Sequence, residues 1–145
     1  MAKSISNMEQ LTSAMTPVLK GMVNQMAERV YETLNFYLMD YYTGWTPSSY
    51  RRTKAFLYSA VKTDARMEGN QCVAYVYIDY DSMDSYVNAT GFQVAEWANE
   101  GSHGGLVVSH KPHVWDNTIK YTIDNGSLLK MAIQYLKSKG FSVKA

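Results

Sequence analysis

One cysteine, Cys72, is all the chain has, so no intrachain disulfide can form and a reducing compartment is compatible with the sequence. Charge of one sign is not in excess either: 14 Lys plus Arg stand against 13 Asp plus Glu. A dedicated nucleic-acid binder usually shows a strong basic surplus, so that class is disfavoured. No apolar run reaches the length of a membrane span. Residues 1–10 are polar and lack the apolar core of a signal peptide, which makes a soluble, cytosolically synthesised protein the expectation. Gly101, Gly104 and Gly105 fit neither the P-loop nor the dinucleotide spacing, so no phosphate cradle is legible. With 145 residues the chain can bury about two-thirds of its unfolded surface, and one domain over 1–145 is the simplest organisation.

What is abundant is tyrosine, at 12, and methionine, at 9. Both types fill cores, and both are enriched at protein interfaces, because rings give area at low entropy cost and Met adapts its shape. Ser6 and Glu9 have capping-box spacing. Apolar residues then recur at Met8, Leu11, Met15, Val18, Leu19, Met22, Met26, Val30, Leu34, Tyr37, Leu38 and Tyr41, in the steps of three and four that mark a helix. Pro17 interrupts the series, and Thr16 before it suits an N-cap. The expectation is a short helix or arm over 1–16, a break, and a long helix over 17–40. Such a helix is about 36 Å long, more than one small sheet can cover, so its ends are expected to meet a neighbour.

Gly44 and Pro47 end the helical signal, and Thr53 suits the start of a short helix reaching Ser59. Residues 60–67 and 71–80 read as two strands of a β-hairpin turning at Glu68, Gly69 and Asn70. In the second strand Cys72, Ala74, Val76, Ile78 and Tyr80 share one face, with Val73, Tyr75, Tyr77 and Asp79 on the other. Bulk on both faces predicts a strand covered on both sides. Residues 86–88 suit another short strand, and 93–100 a helix ended by Gly101. Ser102, His103, Gly104 and Gly105 read as a loop, with a brief strand over 106–108. A helix is expected over 114–123, broken at Asn125 and Gly126. A last helix, over 128–139, starts from a Ser127 cap and carries Leu128, Leu129, Ala132, Ile133 and Leu136 as one stripe. Gly140 ends it, and 141–143 could add a terminal strand. The fold class is α+β: a long N-terminal helix, a small antiparallel sheet with a hairpin, and C-terminal helices packed on the sheet.

Catalytic constellations are weak. His103, His110 and His113 fall in one short region and could together hold zinc for a small metal-dependent hydrolase, but their spacing matches no familiar zinc signature and ordinary loop histidines are the simpler reading. Ser59, Ser102 and Ser109 lack a nucleophile elbow. Cys72 sits among apolar strand residues and reads as a small hydrophobe. The acidic run from Asp79 to Asp84 lacks the Gly and the closing Glu of a calcium loop and reads as a solvated turn. Arg51, Arg52 and Lys54 lie beside Trp45 and Tyr50, a pairing that single-strand nucleic-acid binders use, and one that also makes interface hot spots. Linkers avoid large rings, so the connection from Tyr42 to Thr53 is expected to dock on something.

Three segments carry a family resemblance. The first runs Pro47-Ser48-Ser49-Tyr50-Arg51-Arg52-Thr53-Lys54-Ala55-Phe56-Leu57, followed by Ser59. The second is Trp97-Ala98-Asn99-Glu100-Gly101-Ser102-His103-Gly104-Gly105. The third is the helix start Trp115-Asp116 and the ending Leu136-Lys137-Ser138-Lys139-Gly140-Phe141-Ser142-Val143. Together they resemble the small neck and tail-completion proteins (head-tail connectors, minor tail components) of bacteriophages with long non-contractile tails. Lys54 stands where many relatives have Gly, which favours a continued helix there. The resemblance implies a virion structural protein of the head-tail junction, not an enzyme, without cofactor or metal, assembled in the host bacterial cytoplasm. It implies a homo-oligomeric ring, often a hexamer, that touches other connector and tail proteins, passes DNA through its lumen without sequence readout, and needs no membrane. Trp45, Pro47, Tyr50, Arg51, Arg52, Trp97, His103, Gly104 and Gly105 are then the candidate subunit-interface residues.

Overall fold

A computed structural model describes residues 4–43, 56–83, 90–100, 102–103, 106–107 and 113–144, with only the backbone at 102–103 and 106–107. Helix α1 runs unbroken over Met8–Thr43, about 54 Å of axis. The expected break at Pro17 does not occur. Proline costs the helix one N–H donor, to the Ser13 carbonyl, and Ser13 and Pro17 both lie on an exposed face where water can replace it. The hydroxyls of Thr12 and Thr16 bond back to the carbonyls of Met8 (2.9 Å) and Thr12 (2.7 Å), so the flanking turns keep their polar groups satisfied. The cap also differs from expectation by one residue. Asn7 Oδ1 accepts from the Gln10 N–H at 2.9 Å, and Gln10 Oε1 reaches back to the Ser6 N–H at 2.9 Å. Ser6 and Glu9 do not form the box.

The hairpin is present, but each expected strand is split. Strands β1 (Ala60–Lys62) and β4 (Val76–Ile78) pair antiparallel, as do β2 (Arg66–Glu68) and β3 (Gln71–Val73). Extending the first register sets Thr63 opposite Tyr75, whereas extending the second sets Ala65 opposite Ala74. Asp64 is therefore one residue too many, and the hairpin carries a bulge there. The bulge frees the Ala65 N–H from the ladder, and Asn24 Oδ1 of α1 accepts it at 2.8 Å. One turn on, Glu28 forms an ion pair with Lys62, whose ammonium also lies 5.8 Å from the centre of the Tyr31 ring. Asn24, Glu28 and Tyr31 follow the i, i+4, i+7 spacing of one helix face, so α1 grips the hairpin along a polar rail. At the tip, Gly69 takes φ +63°, as the first central residue of a II′-type turn requires.

The other face of the hairpin is open. Tyr75 and Tyr77 are 46% and 44% exposed, against the expectation of cover on both sides. Among the described residues each pair of strands forms a two-stranded sheet.

Helix α2 (Gly91–Glu100) begins with a reciprocal cap: Gln93 N–H donates to Thr90 Oγ1 and Thr90 N–H donates to Gln93 Oε1. Ser102–His103 (β5) and Leu106–Val107 (β6) pair as a minimal antiparallel unit, where the sequence suggested a loop before a lone strand. Helix α3 (Val114–Ile119) passes into a wider π turn over Lys120–Asp124, and α4 spans Ser127–Ser138. Ser127 is the first helical residue of α4 and not its cap. Its N–H is taken by Asn125 Oδ1 at 3.0 Å. Helix α4 closes in a Schellman motif, with Phe141 N–H to the Leu136 carbonyl, Gly140 N–H to Lys137, and Gly140 at φ +92°. The terminal strand expected over 141–143 is not formed. Residues 56–58 form a turn and no helix, and the segments expected at 44–55 and 86–88 lie outside the described residues.

The core gathers Leu34, Leu38 and Tyr41 of α1, Phe56 and Leu57, Ala60, Met83, Val94, Ala95 and Ala98 of α2, and Val114 of α3. Leu34, Leu38 and Phe56 are fully buried, each contributing roughly 1.5–3 kcal/mol of transfer free energy. The α+β architecture is as expected, with one refinement: α3 and α4 pack along α1, which in turn carries the hairpin. Tyr121 stacks on Tyr37 (centroids 6.2 Å), and the Tyr135 hydroxyl reaches Gly21, so the chain from α3 to α4 runs antiparallel to α1.

A β-carbon at Gly21 would lie 1.9 Å from the Tyr135 hydroxyl oxygen. Alanine gains about 1 kcal/mol of helix propensity over glycine, but overpacking costs typically 1–3 kcal/mol. Gly21→Ala should therefore destabilise the protein by about 1 kcal/mol in chemical denaturation. Adding Tyr135→Phe should recover part of that loss.

Candidate subunit interface

Helix α3 starts from an unusual residue. His113 holds the left-handed conformation (φ 45°, ψ 57°) and supplies no side-chain cap. Asn99, near the end of α2, does so in its place: its Oδ1 accepts from the N–H groups of Trp115 (2.9 Å) and Asp116 (2.7 Å). The Asn99 carbonyl meets His113 Nδ1 at 2.6 Å. A carbonyl can only accept, so Nδ1 carries the proton and donates. One residue thus ties two helices and fixes the imidazole, leaving only Nε2 open to a further partner. Sequence reading missed this latch because asparagine within a helix end carries no signal of a cap given to a different helix.

The nine candidate interface residues divide sharply. Trp97 is half-buried and packs against the core, so part of its ring serves the fold. His103 lies on β5, and its side chain is outside the described residues, as are Trp45, Pro47, Tyr50, Arg51, Arg52, Gly104 and Gly105. The connection that holds Trp45 to Arg52 leads into the turn at Phe56, whose buried ring meets Tyr41 (5.5 Å) and Tyr42 (6.4 Å). Of the three histidines only His113 is described beyond backbone. Among the described residues no group of three or more His, Cys, Asp or Glu could hold a metal ion. Cys72 is half-buried on β3 opposite Met67, in keeping with a small packing residue. The described part of the acidic run is an exposed turn: Asp79 accepts from the Asp81 N–H, and its carbonyl accepts from the Ser82 hydroxyl, while Asp84 lies outside the described residues.

Tyrosine does more than fill the core. Of the ten described, Tyr58, Tyr75, Tyr77, Tyr80 and Tyr121 are exposed and only Tyr41 is buried. Three aromatic surfaces result. Exposed Phe36 and Tyr121 form the first, on either side of Tyr37, with ring centres 5.1 Å and 6.2 Å from it. Burial, with Tyr121 and Asp40 nearby, pushes the Tyr37 hydroxyl above the usual tyrosine range, which keeps it neutral. Tyr80 and Phe92 form the second, edge to face at 5.4 Å. The third is the open face of the hairpin. There Glu68 accepts from Arg66 through Nε (2.9 Å) and Nη2 (2.7 Å) and from the Tyr75 hydroxyl (3.1 Å). These donors hold the Glu68 carboxyl below the ordinary glutamate range, Arg66 being the larger cause. Rings and Arg on an open surface are the residue types that anchor protein partners.

The family model of YomN matches residues 7–138, nearly the whole chain, and the protein belongs to that family. The family is named after a gene of the Bacillus phage SPbeta region, so this is a phage-related protein. No curated protein and no solved structure matches the chain. Among the described residues no helix is long and apolar enough to cross a membrane.

Asn99→Ala removes the cap of α3 and should cost about 1–2 kcal/mol, read as a fall in Tm of several degrees. The Glu68 carboxyl should titrate below an ordinary glutamate in an NMR pH series and move part of the way back in Arg66→Ala, the Tyr75 hydroxyl still donating to it. Because the folded pKa is lowered, its small stabilisation of the hairpin tip is present above the unfolded value and fades as pH falls through the folded one.

Proposed function

We propose that this protein is a structural component of the phage head-tail junction, of the neck, tail-completion or tail-terminator class. It assembles as a homo-oligomeric ring, a hexamer by analogy with the proteins it resembles, through which DNA passes. The ring sits in the virion beside other connector and tail proteins, performs no catalysis and needs no cofactor. The observation that carries the reading is the phage-related family, matched over residues 7–138. Two features support it. Five exposed tyrosines, with Phe36 and Phe92, place aromatic rings at the surface, where they can serve contacts between chains. The balance of 14 basic and 13 acidic residues suits a lumen that must release DNA, because each phosphate contact from a basic lumen would hold the genome. A closed ring needs two different patches on each subunit, and the chain has several.

Trp45→Ala with Arg52→Ala tests the reading through the connection after α1. The double variant should stay folded by circular dichroism, while electron microscopy of a complemented lysate should show filled heads and free tails that no longer join. Tailed, infectious particles at wild-type yield would overturn the role given to this connection. Stoichiometric zinc in the purified protein would favour the hydrolase built on His103, His110 and His113.

A further inference from the structure

We propose that the N-terminal arm of α1, residues 4–14, docks on α4 of a second copy of this chain; this rests on the homo-oligomeric reading above. Every residue from 4 to 14 is exposed, while Met15 is the first half-buried residue of α1. The arm is nevertheless built as a helix and not as a frayed end. Asn7, Gln10 and Ser6 close its first turn with three hydrogen bonds of 2.9–3.0 Å. Along it Met8, Leu11 and Met15 follow the i, i+3, i+7 spacing of one stripe, with Met8 74% exposed. A capped helix that presents such a stripe to water is the form in which a helix enters an apolar groove.

The receiving surface is on the opposite element. Helix α4 has no fully buried residue, although Leu128, Met131, Ala132, Ile133, Tyr135 and Leu136 are all half-buried. Its apolar arc is wider than one helix can cover. The Tyr135 side meets α1 at Gly21, whereas Leu129, six residues back and so on the other edge, is 65% exposed. Leu129, Ile133 and Leu136 lie at i, i+4, i+7 and make a second stripe along that edge. Charge selects the pairing. The only charged residue in 4–14 is Glu9, in the first turn of α1. Residues 127–144 hold Lys130, Lys137, Lys139 and Lys144 and no acid. Two copies of α4 would repel each other; the arm, whose Glu9 is balanced by the neighbouring Lys3, meets the lysines of α4 without that repulsion. The arm of one chain on α4 of the next is a heterologous contact, the kind that repeats around a ring.

The test uses two variants of the full chain, Met8→Glu with Leu11→Glu, and Leu129→Glu. All three sites are exposed, so circular dichroism should show the wild-type fold. In sedimentation velocity the wild type should self-associate, and each variant alone should associate about tenfold more weakly or less. An equimolar mixture of the two should form pairs, because an intact α4 meets an intact arm once. A wild type that stays monomeric at millimolar concentration overturns the proposal. So does a mixture that fails to pair while the wild type associates. Wild-type oligomers in either variant would also overturn it, yet leave a ring built through other patches standing. The particle test on Trp45 and Arg52 fails or succeeds independently.

Discussion

Leu34 and Leu38 lie one turn apart on α1, and both are fully removed from water. The rest of the core is placed by reference to them. Phe56 and Leu57 return the chain to this point after the connection, Val94, Ala95 and Ala98 bring α2, and Val114 brings α3. The hairpin reaches the same helix by other means. Its bulge turns the Ala65 N–H out of the ladder and onto Asn24, and Lys62 pairs with Glu28. An apolar face and a polar rail on one helix thus hold the sheet and the C-terminal helices together.

The core occupies only part of that helix. Its buried residues run from Ala27 to Tyr41; before them the helix meets the hairpin at Asn24 and α4 at Gly21, and residues 8–14 are exposed. The helix is therefore longer than the body it organises, and an exposed helical turn gains little stability from itself. The same imbalance appears in the tyrosines, half of whose described members face solvent. So many rings and two helical turns outside the core are surface that the proposed ring would use for its contacts.

Much of the fold was legible in the residues. Steps of three and four marked α1, alternation with Gly69 and Asn70 marked the hairpin, and Gly140 marked the end of α4. The errors have particular causes. Pro17 predicts a break only if its lost hydrogen bond is buried, and it lies on an exposed face. The split of the strands comes from Asp64, a single inserted residue with no composition signal, whose consequence depends on Asn24 some forty positions earlier. Tyr75 and Tyr77 looked internal because bulk is ambiguous between a covered face and a binding face. The capping role of Asn99 belongs to a helix that begins at Val114, so no local pattern could announce it. The candidate interface was legible as composition, in the aromatic and basic run from Trp45 to Arg52. The arm was legible as periodicity, but its exposure needed the fold.

The central claim is that this chain forms a ring in the particle, joined by contacts between unlike surfaces of neighbouring copies. A single-particle reconstruction of the head-tail junction tests it most directly. The account predicts a closed ring of this chain between head and tail, with residues 4–14 of each copy lying along α4 of the next. Particles that are complete and infectious, but contain no copy of the chain at that junction, would contradict it.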